Sequence, residues 1–375
     1  RTRFSPSLKR DRRLEMWPPT AATLRESKGE PRLLLRLLLL LLLLITGTAG
    51  RGGGLAVGAL AGEPVRPDES MYGVFSMACT YRRVEVEVFV GSLRATGFGG
   101  VVQFGVDKAV DEEMRAYLAA NRVTVDSLPC ETIPLVTPEQ RALPHGLWLG
   151  GLNQARYTHY LRWLAEHDFE RVWLLDARDV IFLRNPFESA PHNLVLFAEM
   201  PTTSVWVAQR VSACFGDEIS KEMMRTLRYN LCGGTVYGTS AGIAGFAREM
   251  AGVGKDMSLT GAQRRVCHVN DQPLINYLTY REGIRAPGKL RTKNLGAVEL
   301  HIMFHGPALT IKTPRVCEMF TGRLRKNGND TGDLAIVHKW NKCPAARALA
   351  RSRFPTLPVD KVVGNSVSEE LKFKR

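Results

Sequence analysis

The sequence predicts an α/β protein with an open, mostly parallel sheet and helices on both faces. Short apolar segments alternate with amphipathic helical segments over about 230 residues, which is typical of such sheets. Apolar residues make up 45% of the 375 residues and charged residues 23%, a composition that excludes wholesale disorder. This length fits either two domains or one large α/β domain with extensions.

The predicted elements follow one another from Met71 onward. Strands are predicted where short apolar runs end in turn residues, at residues 72–79, 100–106, 171–175, 193–199 and 234–237. Helices are predicted where apolar side chains recur on one helical face, at residues 81–96, 109–120, 152–167, 218–227, 241–250 and 272–280. In the segment 152–167, for example, Tyr157, Tyr160 and Leu164 share one face.

The basic charge of the chain lies at its two ends. The net charge is +14; residues 1–50 hold 10 basic and 4 acidic side chains, and residues 312–375 hold 14 and 6. Residues 51–311 hold 27 of each sign. The body therefore has no basic excess for phosphate backbones, and no nucleic-acid partner is expected.

A leucine-rich segment near the beginning of the chain predicts a membrane or export signal. Residues 33–45 contain twelve apolar side chains, interrupted only by Arg36, and basic residues precede them. We favour an uncleaved signal anchor over residues 33–50. A cleaved signal peptide is the alternative, because 18 residues with one arginine are short for a membrane span.

This signal divides the chain into five predicted parts. They are a cytosolic basic tail (1–32), the anchor or signal peptide (33–50), a stem rich in Gly, Ala and Pro (51–70), the main α/β domain (71–311) and a basic C-terminal extension with little core (312–375).

The cysteines predict an oxidising compartment. There are seven and none forms a CxxC pair, so a zinc ribbon is not expected and at least one thiol stays unpaired within the chain. The tripeptide Asn329-Asp330-Thr331 is a glycosylation sequence, which agrees with a luminal glycoprotein.

An acidic turn follows the strand predicted at residues 171–175. Asp176 lies at the strand end and Asp179 three residues later, so both carboxylates can converge on a hard divalent cation. The alternative is that Asp176 caps a turn while Asp179 pairs with Arg178 or Arg184. A haloacid-dehalogenase-type phosphatase is disfavoured, because its second aspartate would stand at position 178.

This turn, with Val180-Ile-Phe-Leu-Arg-Asn-Pro-Phe187 after it, resembles the metal site of GT-A fold glycosyltransferases, most of all those of families 8 and 77. Those families carry Asp-x-Asp, whereas Asp176-Ala-Arg-Asp179 is one residue wider. The resemblance covers residues 71–310. It implies a GT-A-type sheet and a Mn²⁺ or Mg²⁺ cofactor bound by Asp176 and Asp179.

Two further segments resemble these families in the same order. Asn230, Gly233 and Gly234 lie in a segment similar to the strand that lines the donor sugar, which implies donor binding. Asp271 and Gln272 open a segment similar to the helix beneath the sugar, which implies that they stabilise the reacting carbon. The alternatives are a buried glycine-rich strand end and N-capping of a helix.

The resemblance also implies a late histidine and two cations. His305, ahead of a glycine, fits the third metal ligand, and His301 is its rival. Lys312 fits a phosphate contact, and Arg156 fits a donor contact from the helix before the acidic turn. The alternatives are a structural histidine and, for Arg156, a solvated helix face.

Together these features predict a luminal glycosyltransferase. It would use a nucleotide-sugar donor and a glycan or glycoprotein acceptor in the Golgi membrane, as a single-pass type II protein. A location in the lumen of the secretory pathway, or secretion, is the alternative. The alternative function is a catalytically inactive luminal carbohydrate- or nucleotide-binding protein of the same fold.

Overall fold

The computed structural model describes residues 69–79, 81–128, 130, 150–188, 194–199, 205–226, 230–256, 271–281, 290–291, 299–303, 307–312, 314–328 and 331–363. The predicted tail, the anchor and most of the stem lie outside these ranges, as do Asn329 and Asp330 of the glycosylation sequence. Among the described helices, none has both the length and the apolar character that crossing a membrane requires.

The described strands form two sheets. They are β1 (Tyr72–Met77), β2 (Val101–Asp107), β3 (Val123–Leu128), β4 (Arg171–Leu175), β5 (Val180–Phe182), β6 (Leu194–Glu199), β7 (Asn230–Thr239), β8 (Leu290–Arg291), β9 (Glu299–Met303), β10 (Ala308–Thr310) and β11 (Ile336–His338). The main sheet has the order β3-β2-β1-β4-β7-β6-β9-β8, and β10-β11-β5 form the small one. In the main sheet only β7 and β8 run against the other described strands. The predicted mixed α/β fold with a mostly parallel sheet is therefore confirmed.

The described α-helices lie between and after these strands. They are α1 (Arg83–Ala95), α2 (Glu112–Ala120), α3 (Gly150–Glu166), α4 (Val205–Phe215), α5 (Asp217–Thr226), α6 (Ser240–Asp256), α7 (Asp271–Arg281), α8 (Pro314–Lys326), α9 (Pro344–Arg353) and α10 (Val359–Val363). Each helix predicted from the sequence is present with shifted ends, whereas α4, α8, α9 and α10 were not predicted.

Helices cover both faces of the main sheet because successive strand residues point to opposite faces. On β1, Val74 packs in one core with Phe89 of α1. The next residue, Phe75, packs in the other core with Tyr160 of α3. Both faces of the central strands are buried, which explains why they read as continuous apolar runs.

The C-terminal segment contributes most residues of a third buried core, so the prediction that residues 312–375 carry little core is wrong. Val316, Phe320 and Leu324 form the buried stripe of α8, and Trp340 is fully buried beside them. The basic residues lie between these apolar positions, and their number obscured the helical period. This segment also supplies β11, which pairs with β5 directly after the acidic turn.

Disulfides join the ends of several elements. Cys79 after β1 is bonded to Cys130 after β3, and Cys317 of α8 is bonded to Cys343 at the start of α9. Cys214 is also in a disulfide. Cys232 of β7 is a free, buried thiol, so the prediction of at least one unpaired thiol is confirmed.

Removing the Cys317–Cys343 bridge by a double serine substitution is expected to lower the free energy of unfolding. The bridge spans a sequence separation of 26 residues, and closing a loop of that length restricts the unfolded chain by about 3 to 4 kcal/mol. Urea unfolding of the double variant and of the parent measures this difference. Equal free energies of unfolding would show that the bridge does not stabilise the C-terminal core.

Candidate metal centre

Polar side chains converge at one edge of the main sheet. Asp176 follows β4, Glu199 ends β6 and His338 ends β11. Because β7 runs antiparallel to β4 and β6, its first residue, Asn230, lies at the same edge. Asp271 begins α7 at this edge, since its carboxylate contacts a side chain that also binds Asp176.

Asp176, Asp179 and His338 form a cluster with the geometry of a cation site. Each offers one ligand atom, and these atoms lie within 4.8 Å of one another. Nε2 of His338 lies 3.0 Å from Oδ1 of Asp179 and 3.8 Å from Oδ2 of Asp176. Yet Nε2 is buried and makes no directed hydrogen bond with any described residue. Two carboxylates and a buried imidazole nitrogen without a directed hydrogen bond therefore fit a divalent cation such as Mn²⁺ or Mg²⁺.

The wide spacing of the acidic turn does not separate its carboxylates. Ala177 is fully buried, and the Arg178 guanidinium lies 4.7 Å from the centre of the Tyr81 ring, with its Nε 3.6 Å from the Glu85 carboxylate. Arg184 pairs instead with Glu188. The two residues between the acids, Ala177 and Arg178, therefore do not move the carboxylates apart. Asp176 and Asp179 both face His338.

Two glycines of β7 let the acidic groups approach the strand closely. A Cβ atom on Gly234 would lie 2.7 Å from Cε1 of His338 and 2.8 Å from Cγ of Asp176. A Cβ atom on Gly233 would lie 3.0 Å from Cγ of Asp271. The Asp176 amide also donates to the Gly234 carbonyl oxygen over 3.0 Å. The glycine pair is therefore required by the packing of the site and does not only end a buried strand.

Arg156 joins two acids of the site from the second helical turn of α3. Its Nη1 donates to Oδ1 of Asp176 over 2.8 Å, and its Nη2 donates to the Gly233 carbonyl oxygen over 2.7 Å and to the Asp271 carboxylate. The Tyr157 hydroxyl lies 3.2 Å from Oδ2 of Asp271. Arg156 is only 6% exposed, so it does not lie on a solvated helix face.

A second network connects α7 to the end of β6. The Gln272 amide donates to Oε2 of Glu199 over 2.7 Å and to the Leu231 carbonyl oxygen over 3.0 Å. Lys312 donates to Oε1 of Gln272 over 3.2 Å and contacts the Glu199 carboxylate. The Lys312 side chain stays 30% exposed, and Asn230 lies opposite Glu199 in the sheet register. These contacts bring the predicted residues Gln272, Lys312 and Asn230 together.

The charges around the cluster set the protonation of its members. Burial raises the pKa of Asp179, but Lys339 and His338 outweigh burial and hold that pKa well below its usual range. Burial lowers the pKa of His338, but Cys232 and Asp179 outweigh burial and raise it to about 10. The imidazole therefore carries a proton at neutral pH, and a divalent cation that binds Nε2 would displace that proton.

Sequence reasoning missed His338, Lys339 and Glu199. His338 ends a short apolar run, Ala335-Ile-Val, just as Asp176 ends β4 and Glu199 ends β6. A polar residue directly after a short apolar run is therefore the pattern that could have identified His338 and Glu199 as site residues. Lys339 has a positive φ of 59°, and this turn brings its Nζ within 3.5 Å of Oδ2 of Asp179.

The predicted third ligand, His305, lies outside the described residues, so its role stays a prediction. Its rival His301 lies in β9, where its backbone is paired in register with Val195 of β6. Among the described histidines, His338 is the one that lies with the acidic turn.

A cavity of about 400 Å³ opens beside this site. Ile311, Lys312, Pro314, Cys317, Glu318, Lys342 and Pro344 line it. Lys312 belongs to both the cavity and the network around Gln272, so the two spaces are adjacent.

No protein-family model and no curated protein sequence matches the chain. Among solved structures, it is similar to the galactosyltransferase LgtC in complex with donor and acceptor sugar analogues, with 15% identity and a TM-score of 0.44. The similarity covers 80% of this chain and 100% of that one. An active-site mutant of LgtC matches with 14% identity, a TM-score of 0.40, and coverage of 76% and 96%.

Proposed function

We propose that the chain is a metal-dependent glycosyltransferase of GT-A type that moves a sugar from a nucleotide-sugar donor to an acceptor hydroxyl. The cluster of Asp176, Asp179 and His338, whose ligand atoms lie within 4.8 Å of one another, is the observation that carries this proposal. It lies at the carboxyl edge of an open, mostly parallel sheet, where such folds bind their ligands.

The residues around the cluster have the charges that this reaction needs. A bound Mn²⁺ or Mg²⁺ would neutralise charge on the departing nucleoside diphosphate. Lys312 and Lys339 are partly exposed cations at the rim and can stabilise the same phosphate oxygens. Arg156 fixes Asp176 and Asp271 in place, which assigns it a positioning role in addition to the predicted donor contact.

Asp271 and Gln272 are the proposed groups beneath the donor sugar. Both begin α7, and both are buried and hydrogen-bonded, so they are held rigidly. The glycines of β7 pack against Asp271 and Asp176 without side chains, which supports close approach of a sugar to the backbone. The adjacent cavity is within the size range of ligand pockets and is the proposed entry for a glycan or glycoprotein acceptor.

We place the reaction in the Golgi lumen, with the protein anchored as a single-pass type II membrane protein. The leucine-rich segment over residues 33–50 supports the anchor. The bridges Cys79–Cys130 and Cys317–Cys343 support an oxidising compartment. Residence in the lumen, or secretion after cleavage, is the alternative; carbonate washing of membranes distinguishes the two, because only an anchored chain stays with the membrane.

The donor can be identified by nucleotide release. The full chain, purified in detergent, is offered a panel of UDP- and GDP-sugars with and without Mn²⁺. We expect slow hydrolysis of one donor that requires the metal, since a transferase without acceptor passes the sugar to water. Released nucleotide is measured by chromatography, and the same panel with EDTA is the control.

The alternative function, a catalytically inactive binding protein of the same fold, would give a different result. It would bind a nucleotide or a carbohydrate without turnover on any donor. Turnover that is equally fast in EDTA would contradict the metal dependence instead. The wide spacing of the acidic turn does not support an inactive protein, because Asp176 and Asp179 still lie close together.

A further inference from the structure

We propose that Cys232 and Thr310 are positioning residues that orient His338 for metal binding. The inference rests on the proposed function, because it assigns His338 as a ligand of the cation. Neither residue was a predicted member of the site. Both touch the ring nitrogen that points away from the acidic turn, Nδ1 of His338.

Cys232 reaches the ring from the main sheet. Its Sγ atom lies 3.3 Å from Nδ1 of His338, and the thiol is free and buried. Gly234 lies two residues further along β7. A Cβ atom there would lie 2.7 Å from Cε1 of His338. β7 therefore offers the imidazole a thiol at Nδ1 and a glycine without a side chain beside Cε1.

Thr310 reaches the same nitrogen from the small sheet. It is the register partner of His338 in the parallel pair β10–β11. Its Oγ1 atom lies 3.3 Å from Nδ1, and the side chain is buried. The ring is thus held between the two sheets, with one polar contact from each.

These contacts select the form of the ring that can bind a cation. Nε2 must give its lone pair to the metal, so the remaining proton of a neutral imidazole must be on Nδ1. Nδ1–H then needs an acceptor, and the Thr310 hydroxyl oxygen and the Cys232 sulfur are the described atoms within reach. Hydrogen bonds to the ring nitrogen that does not bind the metal fix the orientation of a ligating histidine and raise the affinity of the site for the metal.

The test is the affinity of the full chain for Mn²⁺ alone, measured by electron paramagnetic resonance without nucleotide. Loss of the outer partners of a ligand weakens metal binding by about 10- to 100-fold. We expect that range for Cys232→Ala combined with Thr310→Val. The double variant Cys232→Ser with Thr310→Ser keeps two hydroxyl acceptors, so we expect it to restore most of the affinity.

Two control variants and the parent separate the possible failures. Thr279→Val makes the same change at a buried threonine whose hydroxyl donates to the Ile275 carbonyl oxygen within α7, and it should bind Mn²⁺ like the parent. Asp176→Asn should lose binding. If the parent itself binds no Mn²⁺, the metal site of the proposed function is wrong. If the parent binds and the Ala/Val variant binds equally well, the positioning role is wrong.

The single change Thr310→Val covers the case in which the double variant does not fold. Valine has the shape of threonine, so the buried packing is kept while the acceptor is lost. A several-fold weaker affinity for Mn²⁺ at an unchanged thermal midpoint supports the proposal. An unchanged affinity in this folded variant contradicts the contribution of Thr310.

Discussion

Replacing Asp176 with asparagine is expected to lower metal-dependent sugar transfer by about 10³-fold, since the charge that a ligand gives to a catalytic metal is worth several kcal/mol. Asparagine keeps an oxygen for Arg156, which donates to Oδ1 of Asp176. The substitution also removes one of several negative charges that lie close together at the strand ends, which lowers their mutual repulsion. The thermal midpoint should therefore shift by only a few degrees. Steady-state kinetics and thermal unfolding measure the two effects.

Asp126→Asn is the matched control for this substitution. Asp126 is also a partly buried carboxylate that pairs with an arginine, Arg162. It lies on β3, the outermost strand, which is three strands away from β4. We expect parental activity from this variant. A folded Asp176→Asn variant with parental, metal-dependent activity would remove Asp176 from the mechanism.

Replacing Gly234 with alanine is the second change with a large expected effect. The new Cβ atom would overlap Asp176 and lie 2.7 Å from Cε1 of His338, closer than carbon atoms can pack. Neither neighbour can yield freely, because Arg156 holds Asp176 and the imidazole is buried. At least one proposed ligand must therefore move. A displacement of this order costs about 10²-fold in activity, with a parallel loss of Mn²⁺ affinity.

Gly252→Ala separates this effect from a general effect of alanine. A Cβ atom at Gly252 of α6 meets nothing within 4 Å, and alanine in a helix is more stable than glycine by roughly 0.5 to 1 kcal/mol. That variant should keep its activity and gain stability. Parental metal affinity and activity in Gly234→Ala would mean that the glycine is not required by the site.

Local patterns were enough to predict five strands of the main sheet, β1, β2, β4, β6 and β7, and the acidic turn. The central strands are buried on both faces, so their apolar runs stand out from the sequence. Asp176 was identifiable because a carboxylate directly after such a run must lie at the sheet edge. The order of Arg156, Asp176, Asp271 and Gln272 along the chain also indicated one site, and the structure brings these side chains together.

The third member of the cluster could not be predicted in the same way. His338 is 159 positions from Asp179 and reaches it only because β11 pairs antiparallel with β5. A pairing at that separation leaves no periodic trace in the sequence. The basic residues of the C-terminal segment also suggested a solvated extension, whereas Trp340 and its neighbours bury a separate core. The same pairing explains why Cys232 and Thr310 were not identified as neighbours of a histidine.

The metal centre is tested most directly by asking whether the nitrogen bound to the metal belongs to His338. Mn²⁺ is added to the full chain, and pulsed electron paramagnetic resonance detects coupling to a directly bound imidazole nitrogen. The measurement is repeated on His338→Gln and on His305→Gln. We expect the coupling in the parent and in His305→Gln, and its loss in His338→Gln. Coupling that persists in His338→Gln and disappears in His305→Gln would contradict the cluster of Asp176, Asp179 and His338.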